Sequence, residues 1–325
     1  MTLIKPAYMN FRIPLLSTLA ILGFTFSAVA QITVDNTITA EELVLDYLIG
    51  DGVDVENITF NGQPGSEANV QIGLYQGTSN VVSFDEGIVM GTFDVLGVET
   101  GFGGAPTNPA EEDPDLVDIA GFNINDGAIL EFDFLATSDS IKFNYVFASN
   151  EYPSYTCTQF NDAFGFFLSG PGINGPYIDN AENIALIPNT DIPVAINTVN
   201  GGSPTGSGQA SNCEDANPNW IEDSQYFVDN GAQPAGDVQF PGLTVTLTAE
   251  ADVDCGEWYH IKLAIGDAVD GALDSGVFLE AGSFAAFGEV MVDVTPTIGG
   301  APIINPDYDD VLVAGCSEAT FDIIR

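Results

Sequence analysis

Ser140-Ile141-Lys142-Phe143-Asn144-Tyr145-Val146-Phe147-Ala148-Ser149-Asn150-Glu151-Tyr152-Pro153 decides the fold, together with Gln159-Phe160-Asn161-Asp162-Ala163-Phe164-Gly165-Phe166-Phe167-Leu168-Ser169-Gly170 beyond a cysteine-bearing loop. In the first segment Ile141, Phe143, Tyr145 and Phe147 share one face and Lys142 and Asn144 the other, the period of a half-buried strand. The second is almost wholly apolar from Ala163 to Leu168 and stops at Gly170-Pro171-Gly172, as a strand buried on both faces does. Between them lie Asn150, Glu151, Asn161 and Asp162, oxygen-bearing side chains beside a core.

The same pattern extends outward in both directions. Residues 31–34 read as a short strand, and Thr39-Ala40-Glu41-Glu42 is a capping box ahead of Leu43, Val44, Tyr47 and Leu48 at helical spacing. That predicts one helix of about three turns, the single substantial helix of the chain. Segments 58–61, 69–75, 87–93, 130–135, 183–187, 194–199, 243–249, 258–265, 276–284 and 290–295 read as strands. Residues 97–114 and 201–219 are Gly-, Pro- and Asn-rich loops, the second carrying Cys213. The fold class is therefore all-β: a β-sandwich or jelly roll with one short N-terminal helix. Residues 296–306 read as a linker, and 311–324 as the start of a second, Ig-like β module. The expected division is 1–30, 31–296 and 297–325.

Lys5 and Arg12 precede an apolar run over 13–26, and Ser27-Ala28-Val29-Ala30 supplies small residues of the A-x-A type. This is a secretory signal peptide, with cleavage expected after Ala30, and no later stretch is apolar for long enough to span a bilayer. The chain is thus expected to be secreted or displayed at the cell surface. Beyond residue 30 there remain 47 acidic residues against Lys142, Lys262 and Arg325, a net charge of −44. Nucleic acid and anionic membrane are excluded as partners, since phosphate binding needs a basic footprint. Such self-repulsion is tolerable in a salty medium or with divalent cations bound.

Cys157, Cys213, Cys255 and Cys316 permit three disulfide connectivities, and no C-x-x-C spacing suggests zinc. Cys316 falls in the second module and is placed to pair beyond residue 325. A Cys157–Cys255 bridge would tie together the starts of two strands.

The strongest chemical signal is acidic. Asp267, Asp270 and Asp274 follow the strand at 258–265 in a loop marked by Gly271 and Gly276. If that strand lies antiparallel to the one starting near Phe160, Asp162 and the 267–274 loop meet at one end of the sandwich, with Glu151 within reach. Carboxylate and carbonyl oxygens suit Ca²⁺, so the predicted ligand set is Glu151, Asn161, Asp162, Asp267, Asp270 and Asp274. Glu131-Phe132-Asp133 resembles the paired-carboxylate strand of a jelly-roll glycoside hydrolase, but the third acidic position is Ala136. His260 shares a strand face with Trp258 and Lys262 and has no nucleophile context, which reads as a surface residue. Trp220, Tyr226 and Trp258 are candidate platforms for a lectin-like sugar site.

Phe147-Ala148-Ser149-Asn150-Glu151-Tyr152-Pro153, the run from Phe160 to Gly172, Asn183-Ile184-Ala185-Leu186-Ile187-Pro188 and Asp274-Ser275-Gly276-Val277-Phe278-Leu279-Glu280 together resemble the signature blocks of the choice-of-anchor L domain, over about residues 34–287. Asn150 stands where an acidic residue is common in that family, which removes one charge from a cation site there. The resemblance implies a secreted or surface-exposed bacterial module, often the first domain of a longer protein with a C-terminal sorting or anchoring segment. Export by type IX secretion is implied too, with the anchoring machinery as a partner through a segment beyond residue 325. The expected function is non-catalytic: adhesion to an extracellular protein, matrix or glycan, stabilised by Ca²⁺, with a lectin-like domain as the alternative.

Overall fold

A computed structural model of the chain describes residues 31–49, 53–100, 113–231, 233 and 235–284, and the backbone of 297–298 and 301–302. The expected signal peptide, the strand at 290–295 and nearly all of the expected second module lie outside these residues.

Two antiparallel sheets face each other. The first holds eight strands: β1 (Ile32–Asp35), β4 (Ile72–Gly77), β5 (Glu86–Gly91), β14 (Ser275–Glu280), β7 (Ser140–Ser149), β11 (Gly242–Thr244) and β10 (Phe227–Asp229) run in that spatial order, and β12 (Leu247–Asp252) also pairs with β7. The second has the order β3 (Gln63–Pro64), β2 (Val55–Phe60), β6 (Ile124–Leu135), β13 (Trp258–Ala268), β8 (Ala163–Ser169), β9 (Glu182–Asn183). The expected all-β sandwich is what forms.

The alternation read in the sequence builds the core. Phe143, Tyr145 and Phe147 of β7 meet Phe164 and Phe166 of β8 across the sandwich, with ring centroids 4.9–5.3 Å apart. Phe284 closes one flank against Phe132, Phe134 and Phe143. Burying one such ring stabilises by about 1.5–3 kcal/mol relative to exposing it. Strand β8 is buried throughout because its other face packs under a helix, α3 (Pro114–Ala120).

The Thr39 capping box forms as read, with Glu42 returning to the Thr39 N–H, but the helix α1 (Ala40–Leu43) soon widens into a π turn over Val44–Leu48. Further short helices occur: α2 (Gly97–Thr100) and α4 (Ala210–Ala216) where the sequence reads as loop, and α3 at the end of the 97–114 loop. Helix α3 had a legible start, Asp113 capping with Pro114 at the first position, and it stops at Gly121 with φ +75°. The expected strand at 194–199 does not form. Its backbone turns instead, because the Thr198 hydroxyl and the Asn200 amide bond locally, while the Asn197 amide donates to the distant Thr158 carbonyl, and these bonds replace a ladder. The strand expected at 243–249 is two strands, broken at Val245 and Thr246. Among the described residues no helix is long and apolar enough to cross a membrane.

Candidate functional site: a carboxylate rim

Two of the chain crossings between the sheets, β7 to β8 and β13 to β14, meet at one end of the sandwich. Strand β7 ends at Ser149, paired with Ser275 at the start of β14, and β8 starts at Ala163, paired with Gly266 near the end of β13. The segments 150–162 and 269–274 therefore run side by side. The antiparallel arrangement expected from the sequence brings Glu151, Asp162, Asp267, Asp270 and Asp274 to this rim.

Asp162 is the fixed member. It is buried, and its carboxylate accepts the Ala268 N–H at 2.9 Å and the Ser275 hydroxyl at 2.6 Å. The Asn150 N–H donates to the Asp274 carbonyl at 3.0 Å, and Ser275 and Thr92 exchange bonds at 3.0 Å, so backbone contacts lock the crossings together.

Asp267 is the exposed nerve of the cluster without being exposed to solvent. It follows an irregularity in the β6–β13 ladder, is 1% accessible, and neither carboxylate oxygen has a hydrogen-bond partner. Its cross-strand neighbour Asn125 has a buried, unpartnered Nδ2, and Glu151, 3% accessible, has an unpartnered Oε2. Burial, then the Asp162 charge, drives the Asp267 carboxyl well above its ordinary range, although Thr92 pulls the other way. Burial, then Asp162 and Asp270, pushes Glu151 to about 8. Burial raises Asp162 to about 7 against its two donors, and burial with Asp126 raises Asp274 to about 6. Among the described residues, buried acids are not orphaned away from the rim. Asp237 is fully buried too, yet Ser79, both Asn80 donors and the Val238 N–H hold it, and they outweigh burial to lower its pKa.

Asp126 joins the rim without having been singled out in the sequence. It sits at φ +50°, and a Cβ on Gly271 would lie 2.4 Å from its Oδ2, so a side chain at 271 would have to push this carboxylate aside as the 269–274 loop passes over it. Its position at the start of β6 is far from the other acids in sequence, and only the ladder register could have revealed it. Val269, in the same loop, adopts φ +78°, a strained conformation for a β-branched residue. Asn161 is turned elsewhere: its Oδ1 accepts the Asn197 N–H at 2.8 Å. Asp270 is exposed at the outer lip, accepting the Ala272 N–H. As placed, no three acidic, histidine or cysteine side chains among the described residues stand close enough to hold one ion.

Lys262 and His260, both on β13, are engaged on the outer face of the six-stranded sheet. Lys262 bridges Asp113 and Asp115 at 2.7 and 2.6 Å over the Phe167 ring, fastening α3 to the sheet. His260 contacts Asp133 at 2.7 Å and Glu131 at 3.5 Å, so the two acids of the hydrolase-like strand are tied to it, and Ala136 is buried. His260 is part-exposed, as read, but partnered. Trp220, a proposed sugar platform, is instead buried against the Cys157–Cys213 disulfide. Tyr226 is half-buried, and Trp258 alone of the three stands exposed, at 42%. The bridge joins Cys157 to Cys213, not to Cys255; Cys255 is also disulfide-bonded.

The choice-of-anchor L domain pattern matches residues 31–285, most of the chain. The chain belongs to the choice-of-anchor L family. In this choice-of-anchor L domain, three of the four segments that resemble the family's signature blocks, 147–153, 160–172 and 274–280, build the carboxylate rim. Members of the family are typically surface or secreted proteins, and the Cys157–Cys213 disulfide also suggests an extracellular protein. No curated protein and no solved structure matches the chain.

Proposed function

We propose that this domain is a non-catalytic interaction module of an exported surface protein, and that Ca²⁺ supplies the missing counter-charge at its carboxylate rim. The observation that carries the reading is Asp267: a buried carboxylate whose oxygens have no hydrogen-bond partner, at a rim where Glu151, on the other side of their shared neighbour Asp162, keeps an oxygen equally bare. A buried ion without a partner costs several kcal/mol, so the rim must be filled either by protons or by a cation. The ionisable side chains of the rim are all carboxylates, which favours a hard cation that accepts irregular, many-oxygen shells once the loop closes on it. Mg²⁺ demands near-octahedral geometry, which this spread of carboxylates does not offer. Asp270 on its exposed loop is free to close inward around the ion.

Extracellular modules bind Ca²⁺ with dissociation constants of about 10⁻⁴ to 10⁻³ M, so about 10 mM Ca²⁺ would stabilise the fold by about 1.4–2.7 kcal/mol. Thermal melts after EDTA treatment, with and without Ca²⁺, test this. A rise of several degrees supports the cation; identical melts together with marked destabilisation above neutral pH would mean that protons fill the rim. The adhesion role, export by type IX secretion and anchoring through a more C-terminal segment belong to the same reading. Exposed Trp258 keeps a glycan ligand as the second reading, and a glycan array comparing the protein with Trp258→Ala separates it from protein adhesion.

A further inference from the structure

The eight-stranded sheet has an unfinished edge. Strand β12 pairs with β7 on one side, whereas β10 covers only β11, so among the described residues nothing pairs with the outer side of β12. The register fixes which groups point outward. The Val253 N–H donates to the Asp139 carbonyl at 3.0 Å, one step beyond the Asp252–Ser140 pair, and in an antiparallel ladder bonded pairs alternate. The bonded pairs are therefore those of Ala251, Ala249 and Leu247. The Asn144 N–H, opposite Thr248, turns the other way to Ser283 Oγ at 3.1 Å, as this alternation requires. Backbone N–H and C=O groups of Thr248, Glu250 and Asp252 thus face the open edge.

A cleft of about 540 Å³ runs along that edge, with Leu186, Pro188, Tyr226 and Val245 supplying apolar walls beside Thr248 and Glu250. A second cleft of about 560 Å³ shares Thr248 and Glu250 and continues over the sheet to Glu280; Lys142, across from Glu250 in the ladder, is its one cation, against the acids Glu250 and Glu280. The exposed side chains along the strand are Thr248, Glu250 and Asp252.

From this edge we infer that β12 accepts an extended, lysine- or arginine-bearing peptide segment as a further strand of the sheet. An open ladder supplies main-chain hydrogen bonds to any extended chain, and the flanking groups select among them. A second copy of this chain is disfavoured, because edge-to-edge pairing sets Glu250 and Asp252 against like charges between two bodies of net charge near −44. A basic strand meets the opposite situation: its cations lie across from Glu250 and Asp252, its alternate side chains enter the cleft, and the acidic surface speeds its approach. This goes beyond the Ca²⁺ reading and uses none of the rim residues.

The test is fluorescence-polarisation binding of labelled acetyl-(Val-Lys)₄-amide to the full chain in EDTA, with amide exchange followed in parallel. Acetyl-(Gly-Lys)₄-amide controls for charge alone. Thr248→Pro removes one outward N–H, and with it the Thr248 hydroxyl bond to Asn144, leaving the backbone bonds to β7 and every charge intact. Glu250→Lys reverses the selecting charge and serves if the proline variant fails to fold. The expected result is saturable binding of the Val-Lys peptide, slowed exchange at Thr248, Glu250 and Asp252, and at least about tenfold weakening in either variant. No binding, equal binding of the Gly-Lys peptide, binding unchanged in the variants, or protection of these amides by a glycan and not the peptide would overturn it.

Discussion

The Ser275 hydroxyl donates to Asp162 Oδ2 at 2.6 Å, and this bond joins the first residue of a strand in one sheet to the residue preceding a strand in the other. The second Asp162 oxygen takes the Ala268 N–H. Asp162→Ala strands both donors in a buried place, at about 1–3 kcal/mol each. Urea denaturation should show a loss of about 2–5 kcal/mol, and a loss below about 1 kcal/mol would mean that Asp162 does not hold the crossings together.

Asp267 should respond in the opposite sense. Its oxygens have no donors to lose, and Asp162, Asp274 and Asp126 all oppose its charge. In EDTA at about pH 8, Asp267→Asn is expected to stabilise the protein. The same change should remove the stabilisation by Ca²⁺. Chemical denaturation of both proteins with and without the ion checks both halves.

Stability in EDTA should fall as pH rises. The folded carboxyls of Asp274, Asp162 and Glu151 are raised to about 6, 7 and 8, from ordinary values of 3.8, 3.8 and 4.5. The folded state therefore holds more protons than the unfolded one above about pH 4. The contribution is whole below the unfolded values and is lost as pH rises through the folded ones, by at most about 1.4 kcal/mol per pH unit for each group. His260, raised by the Glu131 bond and then Asp133 despite burial, has the same sign, with its share lost as pH passes above its ordinary 6.5. Urea midpoints from about pH 5 to about pH 8 should decline, with a shallower slope in Glu151→Gln.

The disulfide closes a long loop. Cys157 and Cys213 are 56 residues apart, and closure of such a loop constrains the unfolded chain by about 4 kcal/mol in the chain-entropy view. Removing both thiols by Cys157→Ala and Cys213→Ala should cost about 2–4 kcal/mol and expose Trp220, which packs on the bridge. A red-shifted Trp220 emission before global unfolding would report it.

The sandwich and its rim were legible where periodicity and register decide. The alternation of β7 and the apolar run of β8 gave both faces of the core, and their antiparallel geometry with β13 placed Asp162 beside the 267–274 loop. What stayed hidden depends on partners distant in sequence. Asp126 reaches the rim through a cross-strand register, and Asn161 turns away because Asn197 offers it a donor. Residues 194–199 have a strand's composition but bond to themselves. Nothing local marks Trp220 as buried, since the cover comes from a disulfide whose pairing composition leaves open.

Isothermal calorimetry of Ca²⁺ into the EDTA-stripped, dialysed protein, paired with Asp267→Asn, tests the central claim most directly. The expected result is saturable binding at one site with a dissociation constant of about 10⁻⁴ to 10⁻³ M, released protons near neutral pH, and no such isotherm in the variant. Heats that never saturate, or that are the same in Asp267→Asn, would contradict it.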